Sequence, residues 1–271
     1  MRLRDRLSSL VQSLSWRAGY PIVPRWRLAK WDHASHLRAL LAMLEIDQVL
    51  DVGANVGQFR EFLRLQVGYA RRVVSFEPVG EVFTALEAAA AGRPEWSVHR
   101  LALGEADTVS TMNVMRERTL SSLLMPNAAR LDAMGYRKYL EETRIDRTEV
   151  VTIRRLDSVI DRFVPRRARV FLKCDTQGYD LSVVRGASGC LDRVLALQVE
   201  LPVREVYQGA PDYLRALPEL TALGYELTGL FPVQRDATLR VINLDAVLIR
   251  QDEAERLRAA HRHAPGHVGR P

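Results

Sequence analysis

Between residues 45 and 250, short apolar runs near 48–52, 73–77, 97–101, 169–175 and 194–200 are separated by stretches with helical spacing. That alternation of strand and helix predicts an α/β domain with a parallel sheet and helices on both faces. A helical stretch near 211–223 stops at Gly224, and 225–233 and 241–250 read as two further strands. The link between them is too short for a right-handed crossover, so the last pair is predicted to be antiparallel.

The flanks read differently. Leu3, Leu7, Leu10, Val11 and Leu14 recur at helical spacing with Arg2, Arg4 and Arg6 among them, and Pro21 and Pro24 precede a second helix over 31–44. Residues 1–44 are thus predicted to be a helical extension, either covering a core edge or lying on a membrane surface. Residues 105–168 are long for one connection. They carry a Ser121-Ser122 turn, a helix near 127–142 and a strand near 149–155, and are expected to form a lid over the acceptor. Beyond residue 250 the chain turns polar, with His261, His263 and His267, and a disordered tail is expected over 251–271.

Composition narrows the class. With 271 residues and 47% hydrophobic positions the chain can bury one sizeable core, so one catalytic domain over 45–250 is expected. No apolar run reaches the eighteen or so residues of a membrane span and no secretory core is visible, which points to the cytoplasm by default. Cys174 and Cys190 lack metal-site spacing and read as buried thiols. The net charge of +6 is spread along the chain without an RNA-binding motif, so no nucleic-acid partner is expected. An anionic carrier or membrane surface accounts for the charge as readily.

The chemistry concentrates in Val49-Leu50-Asp51-Val52-Gly53-Ala54-Asn55-Val56-Gly57-Gln58-Phe59, where a strand enters a small-residue loop and then a helix. Gly53 and Gly57 let bare backbone approach a ligand, and the helix start offers amide donors. The next strand ends in Glu77, twenty residues beyond Gly57, where a nucleotide-binding βαβ unit places an acid on ribose hydroxyls. Asn55 and Gln58 replace glycines of the dinucleotide fingerprint, which disfavours NAD.

The run Asp-Val-Gly-Ala-Asn-x-Gly followed by Phe-Glu-Pro resembles the first motifs of S-adenosylmethionine (SAM) dependent methyltransferases, and more specifically the FkbM family. Leu101-Ala102-Leu103-Gly104, Ser121-Ser122-Leu123, Leu156-Asp157-Ser158-Val159, Lys173-Cys174-Asp175-Thr176-Gln177-Gly178-Tyr179-Asp180 and Val199-Glu200-Leu201-Pro202 follow in family order. The resemblance implies a Rossmann-like class I methyltransferase fold, a mostly parallel seven-stranded sheet with an antiparallel C-terminal strand. It also implies that the loop from Gly53 to Gly57 lies under the methionine part of SAM, with Asp51 near its amino group and Glu77 on the ribose. Ala102 and Leu103 would then touch adenine, and Asn55 would hold the loop through its own side chain.

Asp175 and Glu200 end neighbouring strands and are the candidate catalytic residues. Either carboxylate can act as base, or the pair can hold a divalent cation such as magnesium. Lys173 is expected to pair with a nearby acid, Asp180 to be a first-turn helix charge, and His36 and His99 are weak base candidates. Ser121 and Ser122, at a family position near the active site, and Tyr207, in the loop after Glu200, are candidate acceptor contacts. Family habit suggests O-methylation of a sugar, such as rhamnose or fucose on a glycolipid or glycosylated natural product. The alternatives are RNA or protein methylation, or a SAM-binding partner without catalysis.

Overall fold

The computed structural model describes residues 30–263. The amphipathic pattern of the first fifteen residues, and His267, lie outside them. Trp31–Met43 forms helix α1, followed by β1 (Gln48–Val52), α2 (Gln58–Phe62), β2 (Arg72–Phe76), α3 (Gly80–Ala90) and β3 (Trp96–His99). Next come β4 (Ala102–Leu103), β5 (Thr108–Met115), α4 (Ala128–Ala133), α5 (Arg137–Glu142), β6 (Ile145–Arg154) and α6 (Leu156–Val159). The chain continues through β7 (Val170–Cys174), α7 (Asp180–Arg185), β8 (Val194–Pro202), α8 (Tyr213–Ala222), β9 (Tyr225–Arg235), β10 (Val241–Arg250) and α9 (Gln251–His263).

The main sheet has seven strands in the order β3-β2-β1-β7-β8-β10-β9. β1, β2, β3, β7 and β8 run parallel, and β10 is antiparallel to both β8 and β9. This is the expected Rossmann-like class I methyltransferase sheet, and it follows from the sequence: β1 and β7 are buried at every position, as central parallel strands must be. Two apolar clusters cover the faces. Leu50, Val52, Leu172 and Leu197 belong to one, and Val49, Phe171 and Val247 to the other, packed against Leu37 and Leu41 of α1. Strand order reverses between β1 and β7, which opens a crevice at their carboxyl ends.

The connection between the two halves carries more secondary structure than the sequence pattern predicts. β5 and β6 form an antiparallel pair joined by β4 into a separate three-stranded sheet, and the single helix expected over 127–142 is two helices broken at Gly135. β5 escaped the sequence reading because its first half is exposed and polar. The polar segment expected to be disordered is also ordered through His263, as α9, with Ala254 packed into the core and Glu253 facing Arg169 and Arg256. No helix among the described residues is long and apolar enough to cross a membrane.

Candidate functional site

Two clefts meet over the crevice, sharing Gly53, Asn55, Thr119 and Asp175 in their walls. The first, about 530 Å³, runs over β1 and β2 and is bounded by Glu77, Pro78, Leu101, Ala102, Leu103 and Tyr179. The second, about 780 Å³, lies over β7, β8 and β10, and is walled by α1 and α2.

Asn55 shapes the loop between them. It sits at φ +48°, its side-chain oxygen accepts from Val56 N at 2.8 Å and Gln58 Nε2 at 3.0 Å, and its own N–H donates to Glu77 at 2.9 Å. Gly53, at φ +75°, brings its backbone hard against Asp175: a Cβ there would lie 1.9 Å from the Asp175 carbonyl oxygen. Gly57 was expected to bare the loop backbone to a ligand. It lines neither cleft and lets the loop pack on the Trp96 ring, which a Cβ would approach to 2.4 Å.

Glu77 is buried at the wall of the first cleft, and its two oxygens accept from Asn55 N and Val79 N. Burial raises its pKa to about 7 against those two hydrogen bonds. The remaining lone pairs of the carboxylate are suited to hydroxyl donors. Ala102 and Leu103 line the apolar part of this cleft with Met112 and Leu123.

Asp51 does not reach either cleft. It is fully buried in β1, accepts from Ser75 Oγ at 3.2 Å and faces Lys173 Nζ at 3.0 Å. A charged pair inside a parallel sheet needs this mutual match, so Asp51 supports the crevice from below. Lys173 also stands 3.5 Å from Asp175. Burial opposes its charge, but Asp51 and Asp175 more than compensate and raise its pKa.

Asp175 and Glu200 are brought together by Gln177, whose Nε2 donates to Asp175 at 2.9 Å and to Glu200 at 3.1 Å. Gln177 adopts φ +55°, an uncommon left-handed conformation, and its Oε1 accepts from Tyr207. Burial, with Asp175 and Asp245 nearby, raises the Glu200 pKa well above the carboxylate range. Asp180 is more than a helix-end charge: it accepts from Thr176 N and Gly178 N and so folds the loop after β7.

Of the three predicted acceptor contacts, Ser121 lines the first cleft, accepting from Met115 N. Ser122 and Tyr207 line neither. Ser122 Oγ donates to the Gln177 carbonyl and accepts from Leu124 N, while Tyr207 OH donates to the Leu120 carbonyl at 2.6 Å, so both tie the 105–168 segment to the β7 loop. That segment supplies Met112, Arg118, Thr119, Ser121 and Leu123 to the first cleft and only Thr119 to the second. The segment is thus chiefly a wall of the first cleft and touches the second through Thr119.

The second cleft is lined by Phe59 at the end of the loop motif and by residues the motifs did not reveal: Lys30, His33, Phe62, Gln198 and Asp245. His33 is buried, bonds Gln198 at 3.1 Å and stacks on Phe231 at 4.6 Å, and burial lowers its pKa to about 4. His36 bonds Thr228 Oγ1 and His99 packs against Phe76 and Phe163, and neither lines the clefts. Among the described residues no group of three or more His, Cys, Asp or Glu is placed to hold a metal ion.

The methyltransferase FkbM domain matches this sequence over residues 51–227. No curated protein matches it significantly. Among solved structures, an FkbM methyltransferase from Methylobacillus flagellatus KT aligns at 16% identity and TM-score 0.46, over 76% of this chain and 44% of that one. This chain therefore spans less than half of that protein. An rRNA methylase from Streptococcus thermophilus aligns at 11% identity and TM-score 0.42, over 84% and 98% of the two chains. Aeropyrum pernix fibrillarin with bound S-adenosyl-L-methionine aligns at 14% identity and TM-score 0.44, over 80% and 73%.

The residues present fit SAM. The Gly53–Asp175 approach leaves backbone open at the junction of the clefts, Glu77 offers a buried carboxylate, and an apolar slot stands beside it. The buried Thr176 hydroxyl, in the wall of the same cleft, has no protein hydrogen-bond partner.

Proposed function

The chain belongs to the FkbM methyltransferase family, and we propose that this SAM-dependent methyltransferase acts on a hydroxyl of a sugar, with a deoxyhexose such as rhamnose or fucose on a glycolipid or glycosylated natural product as acceptor. The observation that carries this reading is the meeting of two clefts at Gly53 and Asp175, one suited to a nucleoside and the other lined with carboxylates, amides and Phe rings. Bound SAM supplies a methyl group on a positively charged sulfur.

In this reading the first cleft is the donor site. Glu77 accepts from the ribose hydroxyls, Gly53 and Asn55 present the loop backbone, and Ala102 and Leu103 contact the adenine by shape. Asp51 acts indirectly, by neutralising Lys173 beneath the loop. The second cleft takes the sugar.

Asp175 and Glu200 are the proposed catalytic pair because both face the second cleft and Gln177 fixes their spacing. Asp175, which faces Lys173, accepts from the acceptor hydroxyl and orients it. Glu200, whose pKa burial raises, bonds a neighbouring acceptor oxygen. Ser121 sits near the junction, where Thr119 spans both clefts. Alignment of the oxygen with the methyl group is the main contribution asked of these residues.

Incubation with methyl-labelled SAM and a panel of rhamnosides and fucosides tests the reading. A labelled methyl ether is the expected product, and label found only on RNA or protein would contradict it.

A further inference from the structure

The register of the sheet places a third carboxylate beside the proposed pair. Asp245 on β10 stands directly opposite Glu200 on β8, and Cys174 of β7 pairs with Val199, so Asp175, Glu200 and Asp245 form one row across three strands. All three line the second cleft. Asp245 lies outside residues 51–227, as do His33 and Lys30, so the family match assigns it no role.

The three acids are held differently. Asp175 accepts from Gln177 Nε2 through Oδ1 and faces Lys173 Nζ through Oδ2, so both its oxygens are engaged by protein groups. Glu200 accepts from Gln177 Nε2 through Oε2 and from Asn243 Nδ2 at 3.3 Å through Oε1, so both its oxygens are engaged, and burial raises its pKa. Asp245 meets the Gln198 side chain, while His33 Nδ1 stands 3.7 Å away, beyond hydrogen-bond length. Gln198 accepts from His33 Nε2 through its oxygen, which turns its amide nitrogen toward Asp245 and leaves His33 Nδ1 as a lone pair.

Other charged groups around Asp245 are few. Glu200 and Asp175 lie along the row, Lys173 stands behind it, and α1 supplies Lys30 and the neutral His33. From β9 the register partner is the uncharged Phe231.

We infer that Asp245 is the group that takes the proton from the acceptor hydroxyl. The O–H bond breaks and its electron pair forms the new O–CH3 bond. The C–S bond breaks with its pair left on sulfur as a neutral thioether, and the proton rests on the Asp245 carboxylate. Burial and the nearby Asp175 push the Asp245 pKa up to about 6, close to working pH, where a general base is most effective. His33 and Gln198 act as positioning residues for that carboxylate. The inference rests on the hydroxyl-methylation reading above.

The test compares wild type, Asp245→Asn and Asp245→Ala, with methyl α-L-rhamnopyranoside as acceptor probe. Asp245→Asn should bind S-adenosylhomocysteine and the probe, by calorimetry, as wild type does. Its transfer rate should fall by about 10²–10⁴-fold, with loss of the ionisation near 6 from the pH profile of kcat/KM. Formate should restore part of the rate to Asp245→Ala. Transfer by Asp245→Asn at near wild-type rate with an intact pH profile overturns the inference, as does failure of formate in an Asp245→Ala protein that still binds S-adenosylhomocysteine. A wild-type product methylated on nitrogen or carbon overturns the hydroxyl reading itself, and this inference with it.

Discussion

A Cβ on Gly53 would stand 1.9 Å from the backbone oxygen of Asp175, so the loop after β1 and the end of β7 touch backbone to backbone. That contact fixes both clefts at their shared wall. Gly53→Ala must move one strand end or the other, and it also forces a side chain into φ +75°. We expect a loss of about 1–3 kcal/mol in stability and weaker S-adenosylhomocysteine binding, read by thermal denaturation and calorimetry. Unchanged affinity would show that the contact does not shape the donor site.

Glu77 gives a pH dependence with a definite sign. Its pKa is raised to about 7 in the free protein by burial, whereas ribose hydroxyls favour the ionised carboxylate. Affinity for S-adenosylhomocysteine should therefore rise as pH increases through about 7 and then level off. Glu77→Gln should flatten that dependence and weaken binding by about 2 kcal/mol. The same shift opposes folding at neutral pH, so the Glu77 contribution to the stability of the free protein should improve as pH falls from about 7 toward 4.5. A binding curve that is flat in wild type removes Glu77 from the ribose site.

Lys173 and Asp51 form a buried pair, and losing one partner strands the other charge. Lys173→Met should destabilise the protein by about 3–5 kcal/mol, and the double change with Asp51→Leu should recover much of it. Chemical denaturation of wild type and the two variants measures this. Equal destabilisation by the single and double changes would mean that the two side chains contribute through packing alone.

Asp175→Asn keeps the shape of the junction and removes the charge matched by Lys173. Donor binding should persist while methyl transfer falls by at least about 10²-fold. Near wild-type turnover would exclude Asp175 from acceptor orientation. Gln177→Leu should lower the rate by a smaller factor and raise KM, because it frees Asp175 and Glu200 without removing either, and a rate and KM equal to wild type would mean that the bridge is dispensable.

Much of the sheet and of the first cleft was legible because both depend on local sequence. Continuous apolar runs mark β1 and β7, Gly53 marks a close backbone approach, and Glu77 stands at a fixed distance from the loop. The second cleft was less legible, because its residues come from elements whose proximity only the strand order creates. Asp245 sits within an antiparallel strand with no motif around it, and His33 enters from α1, 165 residues away in sequence from its partner Gln198. Asp51, Ser122 and Tyr207 looked like site residues because they lie in or beside the motifs, yet each satisfies a buried hydrogen bond or charge that holds the clefts in place. β5 and α9 were missed because their exposed polar positions mask the side that packs.

The most direct test of the account is calorimetric titration of the purified protein with S-adenosylhomocysteine, with NAD as control. Micromolar binding of S-adenosylhomocysteine and none of NAD is the predicted result. Binding of NAD, or of neither compound, would contradict the assignment of the first cleft as a SAM site.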